Sequence, residues 1–292
     1  MADLTQWDYA AILVKLAVYA CSFLAMGSVL FILANPKLGG AIKAKLRKIV
    51  LACVTFGFFA SALQFGIQSG RLLDDGFIGM IDPEMIGLVR SAPLGNAIML
   101  RVVGLLLLLL SVLRTPTPPI IAIIGACTVA ISFSMVGHGT QEPRWLMGSL
   151  VSIHMLAASF WIGALWPLYS AASGAISLKD SGLLAHRFGR QAAWVVGLLI
   201  LAGLLLTYNL VGSITLMWSS QYGNTLLLKL GLVTALLGLA AGNKLKLVPA
   251  MLANKQIAAA RLKKSIKWEG VIIILILSVT VILTTVTALP DS

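Results

Sequence analysis

Eight long apolar stretches constrain the fold of this chain more than any other feature of its sequence. A helix needs about 20 mainly apolar residues to cross the hydrocarbon core of a bilayer. The stretches cover residues 9–34, 49–68, 95–113, 120–138, 145–171, 191–212, 224–243 and 270–289. Lipid offers backbone amides no hydrogen-bond partner, and the stretches lack the period-two alternation of a membrane β-barrel. The sequence therefore predicts an all-α, polytopic membrane bundle of eight transmembrane helices, forming one integral membrane domain over residues 1–292.

The composition indicates the same class. Hydrophobic residues make up 59% of the chain and charged residues only 11%, whereas about 25% of a typical soluble domain is charged. A water-soluble fold could not bury this much apolar surface. The first stretch does not resemble a cleaved signal peptide, because Asp3 and Asp8 stand where such a peptide has a basic segment. We expect it to remain in the mature protein as a membrane helix.

The positions of the basic residues predict the orientation. Sixteen of the 22 Lys and Arg residues fall in four alternate loops, at residues 35–48, 114–119, 172–190 and 244–268. Because positively charged loops resist translocation, these four belong in the cytoplasm and both chain ends belong on the outer, periplasmic side. Most acids fall outside, with Asp180 inside and Glu269 at a cytoplasmic helix boundary. The net charge of +12 is therefore a topology signal, and we predict no nucleic-acid partner.

Three basic residues, Lys15, Arg101 and Lys229, lie inside predicted membrane helices, where charges are expensive. Lys15 is close enough to a helix end for its side chain to reach the headgroups. The segments 94–101 and 222–229 share a Gly-Asn pair and a basic residue at the same spacing, and each opens the third helix of a four-helix half. This match favours two parallel four-helix repeats. A structural role is equally compatible, with each cation paired to the backbone or to an acid.

Histidine and methionine side chains gather around the predicted turn between the fourth and fifth helices. His138 closes the fourth helix, with Met135 three residues before it. His154 lies deep in the outer half of the fifth helix, and Met147 precedes it by seven residues on the same stripe. Imidazole and thioether ligands together suit copper, and thioethers favour Cu(I) over Cu(II). We predict a copper site at His138 and His154, with Met135 or Met147 contributing.

Further residues are expected to support this site: Met155, Trp161, Arg101, Lys229 and Cys127. Trp161 would form the floor of the site, and Cys127 would continue a path of soft ligands inward. Structural alternatives remain for these residue types, because thioethers fill gaps in apolar bundles and buried Cys behaves as a small core residue. His154 could also serve as an interhelical hydrogen-bonding group.

The chain resembles the copper-resistance protein D (CopD) family of bacterial inner-membrane proteins. The resemblance is carried by the segments 137–139, 154–165, 222–229 and 242–249, with Arg101 and the leucine run after it. It implies an eight-helix inner-membrane protein linked to copper uptake or tolerance. It also implies a periplasmic copper carrier of the CopC type as partner, which we expect to be a separate chain.

His138 and His154 match histidine positions of this family, so the resemblance favours copper import through that pair. A membrane chaperone that delivers copper to a respiratory oxidase without translocation is the first alternative. A b-type haem protein is a second, although His186 lies in a cytoplasmic loop and leaves no second axial pair. The sequence has no phosphate-binding loop and no HExxH motif, so we predict neither an enzyme nor an ATP-driven pump.

Overall fold

The fold of this chain is given by a computed structural model that describes residues 5–73, 76–113, 118–211, 217–218 and 220–286, except the side chains of His138 and Val211. Throughout these residues the ordered elements are helices and no strand occurs. The predicted all-α class is confirmed.

Ten α-helices and four shorter turns make up the described chain. The helices are α1 Gln6–Ala34, α2 Gly40–Leu73, α3 Pro83–Ser91, α4 Pro93–Leu113, α5 Pro119–Ser134, α6 Arg144–Ser170, α7 Leu178–Val211, α8 Gln221–Gly242, α9 Val248–Leu252 and α10 Gln256–Thr285. Seven stretches (α1, α2, α4, α6, α7, the α8–α9 stretch and α10) are long and apolar enough to cross a membrane, and α5 is a shorter apolar helix at the fourth predicted span. The chain is therefore a multi-pass membrane protein.

The helix at the fourth predicted span, 120–138, is shorter than predicted. Helix α5 ends at Ser134, and a 3₁₀ turn follows at Gly137–Thr140. Gly137 has a φ of +63°, a left-handed conformation that ends a helix readily at glycine. His138 thus lies in this turn and does not close the helix, which corrects the predicted helix end.

The predicted cytoplasmic loops 172–190 and 244–268 are largely helical. Helix α7 begins at Leu178 and α10 at Gln256, well before the predicted spans. Their inner ends are amphipathic: Leu184 of α7 and Leu262 of α10 are buried in one apolar cluster, while basic residues lie on the opposite, exposed side. Packing against other helices extends these helices beyond the predicted spans.

The two ends of the described chain lie on the same side of the bundle. Lys15, near the start of α1, donates a hydrogen bond of 2.8 Å to the carbonyl oxygen of Thr284, near the end of α10. It also donates to the Thr285 hydroxyl at 3.3 Å. Its ammonium is thus held by the neighbouring helix rather than reaching freely to headgroups.

The helices pack as two four-helix halves joined along α1 and α6. At this junction Gly27 and Gly163 bring the two backbones together so closely that a Cβ on either would overlap the other helix, as is common where small residues meet in membranes. In the first half α1, α2, α4 and α5 form a closed ring of neighbours. In the second half α6 contacts α7 and α10, and α10 contacts α8, but the described parts of α7 and α8 have little direct contact.

Candidate functional site

Three cavities follow one another through the bundle, named here by the predicted orientation. The outer cavity, of about 330 Å³, is lined by residues that include Lys15, Arg71, His154, Met155 and Lys229. The central cavity, of about 300 Å³, lies between α7 and α8 and shares His154, Met155 and Lys229 with the outer one. The inner cavity, of about 330 Å³, shares Trp161 with the central cavity and adds Asn243, Lys244 and Glu269.

His154 lies at the junction of the outer and central cavities. Its Nδ1 atom is buried and has no hydrogen-bond partner in the described chain. The ring faces Gly203 of α7, where an added Cβ would lie 3.7 Å from Cε1 and 3.8 Å from Nδ1. A buried imidazole nitrogen without a hydrogen-bond partner is costly. Such a nitrogen can also act as a ligand atom for a soft metal ion.

The predicted thioether ligands Met135 and Met147 and the predicted supporting residues Met155 and Cys127 differ in their placement. Met155 lines both cavities beside His154, and it is the only methionine to do so among the described lining residues. Met147 is fully buried and Met135 is the C-cap of α5, and neither lines a described cavity. Cys127 is a partly buried free cysteine that also lines none of them.

His138 is placed by its backbone alone, because its side chain lies outside the described part of the structure. Its neighbours Gly137 and Gly139 both line the outer cavity. The turn that carries His138 therefore forms part of the wall that faces His154. Participation of its imidazole in the site stays a prediction.

Arg101 lies behind the wall of the outer cavity. Its side chain is only 2% exposed, its Nε donates to Ser132 Oγ at 3.3 Å and an Nη atom donates to Gln64 Oε1 at 3.0 Å. The guanidinium carbon lies 4.6 Å from the ring centroid of Phe133. Because Gln64 and Phe133 line the outer cavity, Arg101 holds two of its wall residues in place.

The charges on the outer cavity are unevenly balanced. Arg71 forms an ion pair with Asp8 at 2.7 Å, and Lys15 is hydrogen-bonded to Thr284. Lys229 forms no ion pair or hydrogen bond with any described residue. Lys15 and Lys229 therefore both lack a counter-anion among the described residues, and Lys229 also lacks a hydrogen-bond partner there.

Sequence reasoning missed the buried polar group at the inner cavity. Glu269 is only 5% exposed, and it accepts hydrogen bonds from Trp161 Nε1 at 3.1 Å and from Asn243 Nδ2 at 2.6 Å. Trp161 thus contacts this carboxylate at the inner end of the central cavity. The sequence did contain a signal, because Glu269 lies in an amphipathic stretch that continues into an apolar helix. The prediction placed the start of that helix after Glu269, so the acid was taken to lie at its boundary.

Within the described side chains, no three His, Cys, Asp or Glu residues come together as a metal-binding group. A metal ion at His154 would therefore need a thioether, the backbone, His138 or a ligand that arrives with the ion. This donor set suits a soft ion that is bound for a short time more than a resident structural metal.

Comparison with known proteins identifies the family. The family model described as "Copper resistance protein D-like, N-terminal domain" matches residues 1–148, and the model described as "Copper resistance protein D" matches residues 183–283. No solved structure matches the chain.

Two curated relatives are similar over most of this chain. The copper transport protein CutJ of Bacillus subtilis (strain 168) is 24% identical over 260 residues, which are 85% of this chain and 47% of CutJ. Copper resistance protein D of Pseudomonas syringae pv. tomato is 24% identical over 261 residues, which are 83% of this chain and 84% of that protein. The chain thus spans about half the length of the first relative and most of the second. Because one family model covers half of the chain and the other covers much of its second half, this protein belongs to the copper resistance protein D family.

Proposed function

We propose that this protein imports copper across the bacterial inner membrane, with His154 as the central ligand. The observation that carries the proposal is the buried, unpartnered Nδ1 of His154 at the junction of two cavities. The names of the relatives, a copper transport protein and a copper resistance protein, support copper as the cargo.

Copper would arrive at the outer face from a separate periplasmic carrier of the CopC type. The first step is transfer into the outer cavity, where His154 supplies imidazole and Met155 supplies thioether. His138 would add a second imidazole from the turn that forms part of the cavity wall. Exchange from one soft ligand set to another needs no strong site, because each new bond forms as an old one breaks.

Lys229 favours Cu(I) over Cu(II) at this site. Its uncompensated ammonium lines the same two cavities as His154. At an effective dielectric constant of about 20 and a separation of about 8 Å, a monovalent ion is repelled by roughly 2 kcal/mol and a divalent ion by twice that. The thioether of Met155 adds a ligand preference in the same direction.

The test is copper uptake by oriented proteoliposomes under reducing conditions, with a Cu(I) chelator sealed inside. We expect His154→Ala to reduce uptake about a hundredfold, because it removes the only described imidazole on the route. His138→Ala is measured in parallel to test the predicted pair. If the intact protein binds copper through His154 but moves none across the bilayer, the chaperone function replaces transport.

A matched pair of methionine variants sharpens the test. Met155 lines the cavities, whereas Met147 lies on the same helix, is fully buried and lines none of them. We expect Met155→Leu to reduce uptake about tenfold and Met147→Leu to leave it nearly unchanged, since Leu keeps the volume and removes only the thioether. Equal losses in both variants would contradict a ligand role for Met155.

A further inference from the structure

The buried carboxylate of Glu269 is a second polar centre, separate from His154. Both of its oxygens accept hydrogen bonds, Oε2 from Trp161 and Oε1 from Asn243. These two donors fix the orientation of the carboxyl group, and neither of them is a cation.

No cation is paired with this acid in the described chain. The ion pairs found there are Arg71–Asp8 and Arg144–Glu142, both far along the chain from Glu269. Lys244 lines the same inner cavity without forming an ion pair with it. An acid buried inside a membrane bundle is expensive, and one held without a counter-cation points to a functional role.

The backbone departs from a regular α-helix at Asn243, the residue that donates a hydrogen bond to Glu269. Helix α8 passes into a π-helical turn at Asn243–Leu247, and the first residue of that turn donates to the carboxylate. Short π-helical turns occur frequently at functional sites, because they redirect a side chain that a regular helix would place elsewhere.

The carboxylate also lies on the route from His154. Trp161 lines the central cavity, which contains His154, and the inner cavity, which contains Glu269. Its indole ring therefore borders both cavities while its Nε1 contacts the acid. Glu269 is the only acid among the described residues lining the three cavities.

We propose that Glu269 is a second, inner cation site, which binds copper after it leaves His154 and before it is released to the cytoplasm. The inference rests on the proposed function and adds a residue and a step to it. A carboxylate neutralises the charge of a monovalent ion inside the bundle. Its oxygens are also poor ligands for Cu(I) compared with imidazole and thioether, so the ion is held weakly and passes on.

The experiment compares intact protein, Glu269→Gln and the control Glu142→Gln, whose carboxylate is exposed and paired with Arg144 at the outer surface. Copper binding is measured in detergent by competition with bicinchoninate, and uptake is measured in oriented proteoliposomes. Infrared difference spectra, recorded on addition of Cu(I), report whether a carboxylate changes its environment.

For Glu269→Gln we expect copper affinity at His154 within about threefold of the intact protein and uptake reduced about tenfold or more. The intact protein and Glu142→Gln should show a carboxylate band in the difference spectrum, and Glu269→Gln should lack it. Trp161→Phe, which removes one hydrogen-bond donor and leaves the acid in place, should slow uptake several-fold. It provides the same test if the glutamine variant fails to fold.

Uptake by Glu269→Gln within about twofold of the intact protein, with an unchanged difference spectrum, would overturn the inner site and leave His154-dependent transport intact. If instead the intact protein moves no copper, the proposed function fails. The infrared band then decides separately whether Glu269 meets the ion: a copper-dependent band supports binding there, and no band excludes it.

Discussion

The two four-helix halves of the bundle differ in how closely their helices pack. In the first half, α1, α2, α4 and α5 form a closed ring. In the second half the ring is open between the described parts of α7 and α8, where the central cavity lies, and it is closed where α9 packs on α7. Only 6% of the most apolar part of α7 is buried, compared with 56% of that of α1. The first half is closely packed, and the second half contains the central cavity.

Arg101 and Lys229 express this difference at the level of single residues. They occupy equivalent places in the repeated Gly-Asn segments, near the starts of α4 and α8. Arg101 is sealed in the closed half, with hydrogen bonds to Ser132 and Gln64 and the ring of Phe133 beneath it. Lys229 faces the cavities of the open half without a partner among the described residues. The same local sequence thus provides a structural anchor in one half and a free charge in the other.

The largest expected effect tests that contrast directly. Arg101→Ala should destabilise the protein by about 3 kcal/mol, because it empties a fully buried site and leaves Gln64 without its donor. Lys229→Ala should change stability by less than about 1 kcal/mol, because no described residue loses a hydrogen-bond or ion-pair partner when the ammonium is removed. Thermal unfolding in detergent measures both. Equal losses would remove the distinction between a sealed and an open half.

A smaller effect is expected from two glycines on the helix interfaces of the two halves. A Cβ at Gly104 would lie 2.6 Å from Val129 Cγ2 and 2.7 Å from the Val129 backbone nitrogen, so α4 and α5 would have to separate. Gly104→Ala should therefore cost about 2 kcal/mol. At Gly203 the nearest atoms belong to His154 at 3.7 Å, an ordinary contact. Gly203→Ala should unfold at nearly the wild-type temperature, and a large loss there would show that α7 is as tightly packed as α4.

Much of this fold follows from the sequence, because membrane helices are specified by local composition. The eight apolar stretches and the basic loops predicted an all-α multi-pass bundle, and the resemblance of its motif segments to a known family predicted the family. His154, predicted as a ligand, and Met155, predicted as a supporting residue, line the same two cavities. Local patterns carry this information because lipid imposes the same requirement on every span.

The features that depend on packing between helices were not predictable in this way. Helix α5 ends early because of the backbone conformation of Gly137, and the inner ends of α7 and α10 are helical because both contribute residues to one buried apolar cluster. Glu269 was assigned to a boundary, whereas Trp161 and Asn243 enclose it from other helices. No pattern within one segment identifies a partner that is more than 100 residues away along the chain.

The smallest expected effect concerns what the free charge of the open half does to the cargo. Lys229→Met keeps the size of the side chain and removes its charge, so repulsion of a Cu(I) ion at His154 falls by roughly 1–2 kcal/mol for separations of about 8–16 Å. Copper affinity should therefore rise about 5- to 30-fold, while Lys229→Arg, which keeps the charge, should bind as the intact protein does. Competition with bicinchoninate measures this affinity. Weaker binding in Lys229→Met would mean that Lys229 contacts a ligand travelling with the ion, and the open half would then select a complex of copper rather than the ion alone.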